Sequence, residues 1–142
     1  MDWQYAPFNR PVARLFLGDV GSLPIGLLIA WLLILAAGRG HLAAALLLPL
    51  YYVADTTITL LRRLMNGEPV TQAHRSHFYQ RAMDGGFSVY QIVGRVFFVN
   101  IILAGLSAIT LLNASRTLHV IVLFGGSVLV GALLWVFNQA RR

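Results

Sequence analysis

Apolar residues fill four long stretches of the chain, and polar residues gather between them. The stretches cover about 23–38, 42–61, 96–112 and 118–137, the third preceded by an amphipathic lead-in from Ser88 to Arg95. Crossing a hydrocarbon core of about 30 Å takes roughly 20 helical residues, and each stretch is near that length. In lipid the backbone must satisfy its own polar groups, which makes these stretches helices. The expected fold is all-α and integral to a membrane: one domain over 1–142, four transmembrane helices and one large polar loop over 62–87. Pro49 should kink the second span. Pro24 is well placed to open the first and Ser22 to cap it. No internal repeat or low-complexity segment is visible.

Composition supports this class. Only 11% of the 142 residues are charged and 58% are hydrophobic, against about 25% charged in soluble domains. The absence of cysteine removes disulfides, thiol nucleophiles and thiolate zinc sites. The first apolar run begins at Leu23, behind a structured-looking turn, and does not read as a secretory signal. All 11 basic residues are arginine, giving a net charge of +6. Arg10, Arg14, Arg62, Arg63, Arg75, Arg81, Arg141 and Arg142 fall on one side of the expected membrane, and Arg39 and Arg116 on the other. That bias puts the large loop and both termini in the cytoplasm. Arginine also suits phosphates and anionic head groups, although anchoring alone accounts for at least half of these residues. No nucleic-acid partner is expected.

The candidate chemistry is confined to a few side chains. Asp19 sits in the turn Gly18-Asp19-Val20-Gly21-Ser22, where its local pattern fits a divalent-cation ligand and a helix cap about equally. His74, His77 and Arg81 would share one face if their segment is helical, as a grip on a diphosphate or a route for a proton. A solvated interfacial helix would look the same, and a zinc site is weaker because no third ligand is near. Asp55 lies within a span, about 9 Å from its polar end. An intramembrane carboxylate is a functional candidate by default, yet a structural role, as partner to Arg62 or to a backbone break, reads slightly ahead. Asn100, the stretch Ala104–Ala108, Gly125, Gly126 and Gly131 read as helix-packing features. His41 and His119 read as interfacial.

Taken together, the motifs resemble one family. Phe16-Leu17-Gly18-Asp19-Val20-Gly21-Ser22 before an apolar span is similar to the Phe-Met-Gly-Asp-x-Gly-Ser motif of the polyprenyl-phosphate N-acetylhexosamine-1-phosphate transferases. Pro49–Asp55, Arg62-Arg63 and Gly67 resemble the stretch before that family's histidine motif, and His74–Ala82 the motif itself. The resemblance covers most of residues 7–95. It implies transfer of a sugar-1-phosphate from a UDP-sugar to polyprenyl (undecaprenyl) phosphate, with release of UMP, in the envelope glycan synthesis of a bacterial inner membrane. It implies Asp19 as the catalytic, magnesium-binding aspartate, with manganese as a substitute ion. By the same resemblance His74 and His77 close over the diphosphate, Phe16 stacks on uracil, and Arg75 and Arg81 contact substrate.

Two departures qualify the match. Ser76 stands where many relatives carry a histidine. The resemblance also implies a ten- or eleven-span enzyme whose amino-terminal half holds an Asp-Asp motif and an acidic loop. The acids present are Asp2, Asp19, Asp55, Glu68 and Asp84. The expectation is therefore a carboxy-terminal portion, inactive without that missing half. A small four-span dimeric transporter using Asp55 is the alternative from another class, and a non-catalytic membrane remnant is a third.

Overall fold

The computed structural model describes residues 18–67, 78–113 and 115–139, which are helical and contain no strand. The chain divides into two compact units, Met1–Leu35 and Ala36–Arg142.

The described part of the first unit belongs to α1 (Gly18–Gly38). It begins earlier than expected. Gly18 has φ +60, the left-handed region that glycine enters without a Cβ clash. Ser22 and Pro24 therefore lie inside the helix, not at its cap and first position. A proline removes only its own N–H bond to the residue four before it, and this close to the start the loss is tolerable. Leu23, Leu27, Trp31 and Ile34 are all exposed. A helix apolar all round must be covered by lipid or protein.

The second unit holds α2 (Leu42–Leu47), α3 (Leu50–Met65), α4 (Phe78–Asp84), α5 (Val89–Leu112) and α6 (Arg116–Gln139). Leu47, Leu103, Val130 and Phe137 are its largest fully buried side chains, and they bring α2, α5 and α6 together. Gly126 is what lets α6 approach. A Cβ there would stand 2.8 Å from Leu47 Cδ2 and 3.2 Å from Leu103 Cδ2. Gly105, Gly125 and Gly131 would meet nothing, so of the four glycines read as packing features only Gly126 is closely packed within the described residues.

The expected second span is two helices. Pro49, with φ −88 and ψ 3, separates α2 from α3 and is a break more than a kink. Among the described residues three helices are long and apolar enough to cross a membrane: Val20–Gly38, Val89–Leu112 and Arg116–Gln139. Neither α2 nor α3 reaches that length alone. The third span also starts earlier than expected. Ser88 and Gln91 form a capping box, Gln91 N–H donating to Ser88 Oγ at 3.3 Å and Ser88 N–H to Gln91 Oε1 at 3.0 Å. This places the lead-in inside α5.

α3 is built inside out. Tyr51, Asp55, Thr59 and Arg63, four residues apart, form its buried stripe. Its exposed side chains include Tyr52, Val53, Ile58, Leu60, Leu61 and Leu64. Polar groups turned inward and apolar groups outward suit a helix in an apolar medium. At the far end of the hairpin, His119 Nε2 lies 2.8 Å from the Asn113 carbonyl and 3.1 Å from that of Thr110. It closes the end of α5, which agrees with a structural reading of that histidine.

Candidate functional site

The geometry around the large loop starts from Asp55. The carboxylate is only 5% exposed. Its Oδ1 accepts from the backbone N–H of Phe78 at 3.1 Å and from Thr59 Oγ1 at 3.4 Å. Asp55 and Arg62 share a face of α3, but about 10 Å of helical rise separates them. Arg62 turns instead to Asn138 on α6, donating from Nη1 to Oδ1 at 3.4 Å. The expected Asp55–Arg62 pair is not formed, and the carboxylate instead accepts from the backbone N–H that opens α4, a partner not foreseen from sequence. A bond to a charged acceptor contributes about 1.5–3 kcal/mol, and stranding the buried N–H would cost about 1–3 kcal/mol.

That bond fixes the first residue of α4, the helix that begins directly after His77 and holds the second half of the histidine motif. Phe78 and Ala82 are buried in the core, so this part of the large loop packs into the protein and does not lie over it. Arg81 leaves the same helix and donates from Nη1 to Asn138 Oδ1 at 3.3 Å. One neutral amide oxygen thus draws together the guanidiniums of Arg62 and Arg81. These three groups form a positively charged corner where the ends of α3 and α6 meet α4. Beyond α4, Gly86 with φ +95 turns the chain toward α5, and Arg95 stacks its guanidinium 4.2 Å from the Phe87 ring centre.

A cavity of about 400 Å³ opens beside Asp55, between α3 and α5. Tyr51, Tyr52, Tyr79, Ile92, Val96 and Phe97 are among its walls, and Asn100 reaches Tyr52 Oη at 3.4 Å. Asn100 therefore packs against α3, in keeping with its reading as a packing residue.

Of the six residues expected to carry chemistry, Arg81 is the one whose side chain is described. Phe16, His74, Arg75 and His77 lie outside the described residues. Asp19 is the second residue of α1, and its side chain also lies outside them. Among the described residues no group of three or more His, Cys, Asp or Glu could hold a metal ion. Asn138 and Phe78 N–H were missed from sequence. An asparagine near a helix end and a backbone amide carry no signal until the fold places them.

Comparisons with known proteins agree with the motifs. The sequence pattern of glycosyl transferase family 4 matches residues 3–37, which include the Gly-Asp-x-Gly-Ser turn. The chain is also 29% identical over 121 residues to the probable undecaprenyl-phosphate N-acetylglucosaminyl 1-phosphate transferase of Bacillus subtilis (strain 168). That alignment covers 82% of this chain and 34% of the relative, so the chain spans about a third of that protein's length. No solved structure matches. The resemblance read from the motifs is borne out: the chain is similar to glycosyl transferase family 4, and its resemblance is to a phosphoglycosyl transferase.

Proposed function

We propose that the chain is the carboxy-terminal part of a membrane enzyme that moves a sugar-1-phosphate, of the N-acetylhexosamine type, from a UDP-sugar to undecaprenyl phosphate. The observation that carries this is the similarity to a transferase named for undecaprenyl phosphate, extending over 82% of the chain. A phosphate oxygen of the lipid attacks the β-phosphorus of the UDP-sugar. The bond from that phosphorus to the bridging oxygen breaks, and UMP leaves with the electron pair. The lipid becomes a diphosphate carrying the sugar.

Asp19 offers one hard carboxylate, the kind of ligand magnesium takes alongside substrate phosphates. An ion held there would offset charge on the diphosphate as phosphoryl transfer proceeds. In this reading Asp19 shares the ion with further carboxylates and with the substrate phosphates. His74 and His77 face the diphosphate, Arg75 and Arg81 contact phosphate oxygens, and Phe16 supports the base. The positive corner at Asn138 supports a phosphate-facing role for Arg81. The membrane is the bacterial inner membrane, with the arginine-rich loop on its cytoplasmic side. The transferase reading is preferred to the transporter reading because the similarity to a transferase extends over most of the chain.

The test is UMP release by the full-length protein supplied with UDP-N-acetylhexosamine, undecaprenyl phosphate and magnesium. Asp19→Asn is expected to lower kcat by at least about 10²-fold. Unchanged turnover in that variant, or no lipid-dependent UMP release by the unaltered protein, would overturn the reading.

A further inference from the structure

We propose that Asp55 is a positioning residue for the transfer reaction, fixing the histidine-bearing segment by holding the backbone N–H of Phe78. The proposal rests on the transferase reading above for its catalytic consequence, but not for the contact itself. The bond joins α3 to α4 across a sequence separation of 23 residues. Phe78 follows His77 directly in sequence, so the bond fixes the point at which the histidine-bearing stretch joins α4. The anchor is stiff at both ends. Thr59 donates to the same carboxylate oxygen from one turn along α3, and the Phe78 ring is itself buried in the core.

Arg81, one turn further along α4, is tied to Asn138. The short helix is therefore held at its first residue by α3 and in its middle by α6. The cavity beside Asp55 is walled mostly by apolar and aromatic side chains. In such surroundings the bond is stronger than it would be in water, and a missing partner is felt more. The bond to Phe78 sets where the polar loop re-enters the protein. The Phe78 amide requires an acceptor atom at that place, which the side-chain oxygen of an asparagine also supplies.

The experiment compares Asp55→Ala and Asp55→Asn in the full-length protein in lipid nanodiscs. Amide hydrogen exchange is read at the Phe78 N–H, from peptides that begin well upstream of Phe78 and end within α4, and kcat and KM are read from UMP release. Asp55→Ala is expected to speed exchange at Phe78 by about tenfold or more, leaving α5 and α6 at their normal rates. Its kcat should fall by roughly 10²-fold, the usual effect of a catalytic group displaced by about 1 Å. Asp55→Asn retains an acceptor oxygen and should recover most of both.

Normal exchange at Phe78 in Asp55→Ala would overturn the proposal. So would an Asp55→Asn enzyme as slow as Asp55→Ala with Phe78 still protected, because that would assign Asp55 a charge-dependent role. If Asp55→Ala does not accumulate as folded protein, Asp55→Asn decides alone. Modestly faster exchange with kcat lowered less than about tenfold supports the latch, and inactivity with normal exchange ends it. If the unaltered protein releases no UMP, the transferase reading falls, while the exchange measurement still decides the contact.

Discussion

The hairpin of α5 and α6 and the pair of α3 and α4 are built on opposite principles within one packed unit. α5 and α6 meet through Leu103, Val122, Val130 and Leu134, apolar side chains that need no directional partner. α3 buries Tyr51, Asp55, Thr59 and Arg63, and α4 docks through a backbone bond to one of them. Apolar packing tolerates small displacements, since dispersion contacts have no preferred angle. A buried carboxylate tolerates almost none, because each hydrogen bond lost leaves a desolvated polar group. The first region provides a scaffold, and the second gives one particular placement to α4, the helix that begins directly after His77.

The comparison can be broken at graded points. Leu103→Ala should be the most damaging to stability, by about 2–5 kcal/mol for a fully buried leucine. Thermal unfolding in detergent would show this, and kcat per folded molecule should hold. Asp55→Ala should cost less stability, about 1–3 kcal/mol, yet more activity. Finding the reverse ranking for both quantities would erase the distinction between scaffold and placement. Gly126→Ala should destabilise by about 1–3 kcal/mol, because Leu47 and Leu103 must give way. Gly125→Ala next to it, which meets nothing, should be neutral or stabilise by up to about 1 kcal/mol. Unfolding midpoints for the two variants would separate them.

Smaller effects sharpen the same contrast. Ser88→Ala removes one side of the capping box and should cost about 1 kcal/mol, read most directly as faster amide exchange in the first turn of α5. Tyr51→Phe deletes a buried hydroxyl that has no hydrogen-bond partner among the described residues. It should change stability by no more than about 1 kcal/mol, and in the stabilising direction. A large loss there would show that the polar stripe of α3 is more tightly coupled than its visible bonds imply.

The long helices were legible because near-continuous apolar runs leave a membrane chain few alternatives. A disturbance at Pro49 could be read from one residue, but as a kink within one span and not as the break between α2 and α3. The start of α5 was misplaced because Gln91 and Arg95 looked like a polar approach to the membrane, although Ser88 and Gln91 already spelled a capping box. The start of α1 was misplaced because Ser22 and Pro24 are good starting residues in general, and Gly18 offered an earlier turn. For the candidate site, residue types and spacing pointed to Asp19, His74, His77 and Arg81. The contacts that position α4 were not readable. Asp55 finds a backbone amide far along the chain, and Arg62 and Arg81 converge on Asn138, a residue with no pattern of its own. Such long-range polar contacts are specified by the packed arrangement and leave no local signature.

The most direct measurement follows the phosphorus. The full-length protein is given UDP-N-acetylhexosamine labelled at the β-phosphorus, with undecaprenyl phosphate and magnesium, and the products are divided between organic solvent and water. Transfer of a sugar-1-phosphate predicts that the label enters the lipid phase in step with UMP release, and that both fall together in Asp19→Asn. Label that stays wholly in the aqueous phase while the sugar moves to lipid, or label transfer indifferent to Asp19, would contradict the account.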